Sequence, residues 1–229
     1  MSNKIALFLH IFPSNKFWKS CFLEQMQNIF ISGLYEACEF VHIGINAGPD
    51  FVFPYVFDKF RITYNKNHDG ETDTLLSLHD FCSSNTDYKI FYSHIKGVTR
   101  VINGNCYPEI KAWVMSMEYF NVFRWKSNVK LLDEYDCVGS EWYYNKNYYA
   151  GNFWWANSLY ISKLDKEYLD VSNRFKDEYW VGTGNPKYYN HFSFHNTPQV
   201  SGSDSTKLAN DNYDLKYNPL LYIKETYAS

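Results

Sequence analysis

Residues 4 to 12 read Lys-Ile-Ala-Leu-Phe-Leu-His-Ile-Phe and residues 39 to 46 read Glu-Phe-Val-His-Ile-Gly-Ile-Asn. Each run has strand length and is apolar almost without a break, as a strand must be when both of its faces are covered. Between them, from Lys16 to Ala37, Phe22, Met26, Ile29, Phe30, Gly33 and Leu34 recur at three- and four-residue spacings, the period of an amphipathic helix. Pro13-Ser14-Asn15 and Gly48-Pro49 punctuate the strand ends. Strand, helix, strand at this spacing is a βαβ unit, which requires a parallel sheet.

The pattern continues outward. Phe60 to Tyr64 reads as a third strand, Asn65 to Gly70 as a turn-rich loop, and Thr72 or Asp73 as the cap of a helix with Leu75, Leu76, Leu78 and Phe81 on its apolar side. Tyr88 to Ser93 reads as a fourth strand. The strands ending near Phe12, Asn46, Tyr64 and Ser93 are expected to be neighbours in one mainly parallel sheet with helices on both faces. Pro108 opens a helix that should run to about Leu132, and Tyr135 to Trp142 reads as a fifth strand. Tyr149 to Leu164 then reads as strand followed by helix, with Asn157 or Ser158 as the cap. Leu164 to Arg174 is helical in outline. The length of 229 residues fits one α/β domain over residues 1–229, whose last part, 197–229, reads as an irregular tail.

Adjacent Trp154 and Trp155 point to opposite faces of an extended chain, so one can pack inward while the other meets a cleft, where a flat indole suits a sugar ring. An indole pair in a strand is also what an apolar core uses, because it buries a large area with no ligand at all.

Composition sets outer bounds. Aromatic residues make up 20% of the chain and the net charge is −3, so no basic face for nucleic acid is implied. The five cysteines, Cys21, Cys38, Cys82, Cys106 and Cys137, are scattered and odd in number, with no CxxC pair, which points to reduced, buried thiols rather than a disulfide framework or structural zinc. The N-terminal apolar run stops at Pro13 and contains His10, too short for a membrane span and without a cleavage site. A cytoplasmic protein without a membrane span is expected, in host cytoplasm if the source is viral. No GxGxxG, Walker lysine loop, GxSxG elbow or HExxH occurs, which argues against a dinucleotide dehydrogenase, a P-loop hydrolase, a serine hydrolase and a zinc protease.

Two places carry chemistry. The fourth strand runs into His94-Ile95-Lys96-Gly97-Val98-Thr99-Arg100, and ligands of open α/β sheets bind beyond the carboxyl ends of the strands. Lys96 and Arg100 could meet phosphate there, Gly97 would let the backbone approach it, and His94 could donate to it or hold a metal; a solvated basic loop would look the same. The second place is Arg174-Phe175-Lys176-Asp177-Glu178-Tyr179-Trp180, two acids beside aromatic residues.

Tyr-Ser-His-Ile-Lys-Gly-Val-Thr at 92–99, Gly-Asn-Phe-Trp-Trp-Ala at 151–156, and Arg174 with Glu178 and Trp180 together resemble a group of bacterial and viral glycosyltransferases of the GT-A fold. The likeness extends from the first strand to about residue 196. It implies transfer of a sugar from a nucleotide-diphosphate donor to a saccharide or other hydroxyl acceptor. His10, Phe12 and the region of Asp69 to Thr74, with Glu71, would hold the nucleoside, and His94, Lys96 and Gly97 the diphosphate. Asn152, Trp154 and Trp155 would line the meeting place of donor sugar and acceptor, and Glu178 would be the general base of an inverting transfer, with Asp177 and Glu141 as the other candidates. The chain departs from most GT-A enzymes in having His94-Ile95-Lys96 where an Asp-x-Asp motif would hold a divalent cation. A Mn or Mg ion is then either bound differently, with His94 and His195 as candidate ligands, or replaced by cationic side chains. Asp69, Glu71 and Asp73 form another acidic cluster, which a capped helix start explains equally well. The departure keeps a second class open, a catalytically inactive carbohydrate- or nucleotide-sugar-binding module of the same fold.

Overall fold

β1 (Lys4–Ile11), β2 (Phe40–Asn46), β3 (Phe60–Asn65) and β4 (Tyr88–His94) lie in the spatial order β4-β1-β2-β3 and are all parallel. The parallel sheet expected from the apolar runs is therefore present, with His10 of β1 directly beside His94 of β4. The structure is a computed structural model that describes residues 4–65, 70–98, 101–102, 105–106 and 108–192. Asp69, Thr99, Arg100, His195 and the 197–229 tail lie outside these residues, as does the side chain of Cys106.

Beyond β4 the sheet takes an antiparallel strand. After two-residue strands β5 (Val101–Ile102) and β6 (Asn105–Cys106) come β7 (Cys137–Gly139), a hairpin of β8 (Trp142–Tyr143) and β9 (Tyr148–Tyr149), then β10 (Trp154–Asn157) and β11 (Tyr188–Asn190). β10 runs antiparallel to both of its neighbours, β4 and β7, and β11 closes the edge parallel to β7. The seven-stranded order is β11-β7-β10-β4-β1-β2-β3.

Side chains alternate across this sheet, and both faces are covered. Leu7, Leu9, Ile11, Val41, Ile43, Phe91 and Trp155 face one way, packed with Trp18, Phe22, Met26 and Ile29 of α1 (Trp18–Ile31). Ala6, Phe8, Phe40, Ile90, Tyr92 and Trp154 face the other, packed with Leu75, Leu78 and Cys82 of α3 (Thr72–Ser84). The helix predicted over Lys16 to Ala37 stops at Gly33, which adopts φ +76, and restarts as α2 (Leu34–Ala37).

No helix connects β2 to β3. Residues 51–57 instead form an aromatic strap over α1, in which Phe51 and Phe53 lie 5.5 and 5.9 Å from Trp18, ring centre to ring centre, and Tyr55 stacks 5.1 Å from Phe22. The intervening Val52 and Val56 face solvent, 78% and 87% exposed, which is the period-two alternation of a half-buried extended chain.

The long helix expected from Pro108 to Leu132 is three pieces: α4 (Pro108–Glu118), a π-helical turn (Tyr119–Phe123) and α5 (Trp125–Leu131). Asn128 Nδ2 donates to the Phe120 carbonyl at 2.8 Å and Asn121 Nδ2 to the Met117 carbonyl at 2.9 Å, so side-chain amides take acceptors that a regular helix would use itself. The strand predicted over Tyr135 to Trp142 is likewise split, because Glu141 turns the chain at φ +62 between β7 and β8. After β10 comes α6 (Ser158–Ile161), but Leu164 to Arg174 is not a helix. It holds one 3₁₀ turn, Lys166–Tyr168, since Asp165 caps Glu167 N–H at 2.9 Å and Asp170 takes both the N–H and the hydroxyl of Ser172, local bonds that compete with a helical ladder. No helix among the described residues is long and apolar enough to cross a membrane.

Candidate functional site

At the carboxyl ends of β1 and β4, polar side chains gather on the α3 side of the sheet. Tyr92 and His94 are two residues apart on β4 and so share a face, and the loop before α3 brings Glu71 beneath them. Glu71 Oε2 accepts the Tyr92 hydroxyl at 2.6 Å and the Asn152 amide at 2.9 Å, while Oε1 lies 2.6 Å from His94 Nδ1. Burial works to raise the Glu71 pKa, but His94, through its charge and its hydrogen bond, outweighs it together with His10 and Tyr92 and holds it at about 2. A carboxylate ionised at neutral pH has only acceptors, so His94 Nδ1 carries the hydrogen of that bond. His94 Nε2 is buried with no hydrogen-bond partner among the described residues.

Asn152 reaches Glu71 from the loop before β10. It adopts φ +56, a left-handed conformation that asparagine tolerates well, and its Oδ1 receives the Trp154 indole N–H at 2.7 Å. Gly151 beside it has φ +92, and a Cβ there would stand 2.5 Å from Met117 Sδ, so α4 packs directly on this turn.

The third contributor is α7 (Arg174–Tyr179). Asp177 is 1% exposed; its Oδ2 accepts the Glu71 N–H and its Oδ1 the Thr72 hydroxyl, both at 2.7 Å, across 105 positions of sequence in the second case. Neither Thr72 nor Asp73 caps α3, whose N-cap residue is Glu71 with no side-chain cap bond. The acid that meets the start of α3 comes from α7 instead. Burial and the nearby Glu71 charge raise the Asp177 pKa to about 7 against those two hydrogen bonds, so of the two carboxyls Glu71 keeps its charge and Asp177 takes up the proton first. Glu178 is half-exposed next to it, and Arg174, the residue one turn earlier, makes no ion pair with it.

The other predicted site residues fall as follows. His10 is 3% exposed with Nδ1 2.9 Å from Thr74 Oγ1, and Asn65 Nδ2 donates to the same hydroxyl at 3.2 Å and to Asn46 Oδ1 at 3.0 Å. Gly44 leaves room for this group, since a Cβ there would lie 2.1 Å from Thr74 Oγ1. Phe12 is half-buried at the end of β1, where Ile95 N–H donates to the His10 carbonyl at 3.1 Å and Asn15 Nδ2 to the Val98 carbonyl at 2.5 Å, tying the two strand-end loops together. Lys96 places its ammonium 4.0 Å from the centre of the Trp113 ring, and Gly97 has φ +88, a backbone that only glycine adopts without strain.

Two expectations need correction. None of Asn152, Trp154 and Trp155 meets a cleft: all three are 0% exposed, Asn152 bonded to Glu71 and the Trp154 indole, Trp154 stacked 5.0 Å from Tyr92 in one core and Trp155 stacked 5.2 Å from Phe91 in the other. Opposite faces of this strand both lead inward because helices cover the sheet on both sides. Glu71 is also a holder rather than a surface for a nucleoside, being 8% exposed with both oxygens engaged within the protein. Of the other base candidates, Glu141 is 0% exposed, its N–H donating to the Phe192 carbonyl at 2.6 Å.

Among the described residues no three His, Cys, Asp or Glu side chains come together as metal ligands. Of the two candidate ligands, His94 has its Nε2 without a hydrogen-bond partner among the described residues, and His195 lies outside them. The sequence matches no model of a known protein family and no curated protein.

Proposed function

We propose that the chain is a glycosyltransferase that moves a sugar from a nucleotide-diphosphate donor to a hydroxyl acceptor, on a fold of the GT-A kind. One observation carries the reading. Two of the stretches that resemble such enzymes send side chains to one point, Tyr92 and His94 from the first and Asn152 from the second all bonding Glu71, and Asp177, which directly precedes Glu178 of the third, bonds the Glu71 N–H and the Thr72 hydroxyl. That point lies at the carboxyl ends of parallel strands, where α/β sheets place their ligands.

The donor would lie over the ends of β1 and β4, its diphosphate near Gly97 and Lys96, whose ammonium can leave the Trp113 face for a phosphate oxygen. Glu178 is the general base in this reading. Asp177 has both oxygens occupied, whereas Glu178 is half-exposed and can accept the proton of an acceptor hydroxyl as that oxygen attacks the anomeric carbon and the nucleoside diphosphate leaves. Asp177 acts through position, fixing α7 and hence Glu178 against α3.

The test is a donor screen across UDP-, GDP- and dTDP-sugars, with and without manganese, followed by Glu178→Gln. The substitution keeps shape and removes the base, so turnover should fall about 100-fold or more with donor affinity nearly intact. Near-normal turnover moves the role elsewhere, and donor binding with no turnover on any acceptor favours a binding module.

A further inference from the structure

On the opposite side of α7 from Asp177 lies a shallow cleft of about 360 Å³, at the small end of the ~300–1,000 Å³ of small-ligand pockets. Tyr168 and Tyr179 form its aromatic walls, and Asn147, Thr183, Asn185 and Lys146 line the rest. We propose that this cleft is a saccharide-binding subsite that holds part of the acceptor, an inference that rests on the transferase reading for its role though not for its existence.

Several features converge on a sugar. Tyr179 is braced as a rigid platform: Tyr148 packs on it at 4.8 Å between ring centres, and Lys146 Nζ lies 3.0 Å from its hydroxyl. Half-buried tyrosine rings present an apolar face to the C–H side of a pyranose, and amide, hydroxyl and ammonium groups around them match its hydroxyls. The amide side chains of Asn147 and Asn185 are exposed and make no hydrogen bond among the described residues. Both sit in left-handed turns, at φ +52 and +51, and Gly182 lets one turn close on the other, since a Cβ there would be 1.5 Å from the Asn147 carbonyl oxygen. The two turns that carry the free amides are thus locked together by backbone contact. The lining carries one cation and no carboxylate, which suits a neutral ligand better than a phosphate or a basic peptide. The cleft also adjoins the chemistry, since Tyr179, one of its walls, directly follows Glu178 on α7. A glycan seated on Tyr179 therefore lies one residue along α7 from the proposed base.

The experiment uses the full chain on a broad glycan array with no donor present, followed by titration of the best-retained glycan. Retention of a glycan whose affinity falls at least tenfold in Tyr179→Ala and in Asn185→Gly is the expected result. Asn185→Gly keeps the positive φ and removes only the amide, so it stays informative where Tyr179→Ala fails to fold. No retained glycan, retention unaffected by Asn185→Gly, or uridine displacing the glycan would each overturn the proposal. Because no donor is used, glycan binding by a chain that fails the donor screen keeps the cleft and removes the transferase reading, and transfer without cleft-dependent binding does the reverse.

Discussion

Glu118 couples stability to pH. It is 3% exposed, one oxygen receives the Asn28 amide at 2.7 Å, and burial, with Glu24 adding repulsion, raises its pKa to about 7 from 4.5. A carboxyl whose folded pKa lies above its unfolded value holds its proton more tightly when folded. Its contribution is full below the unfolded pKa of 4.5 and is lost as pH rises through about 7. Asp177, raised to about 7, acts in the same direction, while Glu71, lowered to about 2, contributes above 4.5 and loses its share as pH falls through 2. Glu118→Gln should therefore be more stable than the parent at about pH 8, by on the order of 3 kcal/mol, with the gap closing below about pH 5. Urea denaturation at both pH values decides it, and equal shifts in the two chains would dismiss Glu118 as the source. Single residues were only partly legible in the sequence. His94 and Tyr92 share a strand face by their spacing, which the chain states openly; that Glu71 comes up beneath them is set with partners far along the chain, Asn152 and Asp177, which no local pattern encodes.

At the scale of elements, α7 and α3 are joined by one carboxyl. Asp177→Ala leaves the Glu71 N–H and the Thr72 hydroxyl without their acceptor, and should cost about 1–3 kcal/mol while loosening α7. Amide exchange is the sharper readout: protection should drop at the start of α3 and along α7 together, and a drop in α7 alone would break the link. The same bond explains why the start of α3 departs from its sequence pattern. Thr72 and Asp73 are good caps by type, but a partner 105 positions away reaches the helix start first, and spacing arguments see only neighbours. Leu164 to Arg174 failed for the opposite reason, since Asp165 and Asp170 satisfy backbone and hydroxyl groups so locally that apolar periodicity never becomes a helix. The βαβ unit at residues 4–46 succeeded because continuous apolar runs have few alternatives to a doubly covered strand.

For the molecule as a whole, burial of both tryptophans means that β10 is bolted to two cores at once. Trp155→Ala should cost about 3–5 kcal/mol, as a large cavity does, without altering any glycan affinity, which titration and denaturation of the same variant would check. The direction of β10 was invisible in the sequence, because a strand of only four residues, Trp-Trp-Ala-Asn, carries no pattern that sets it. Its placement has a consequence in time. The order β4-β1-β2-β3 is complete by residue 94, whereas β7 and β11 touch that group only through β10, residues 154–157. A ribosome would thus release a nearly finished four-strand half long before the strand that recruits the remainder, and pulse-labelled hydrogen exchange should find those first strands protected early, with β7, β10 and β11 arriving as one later event.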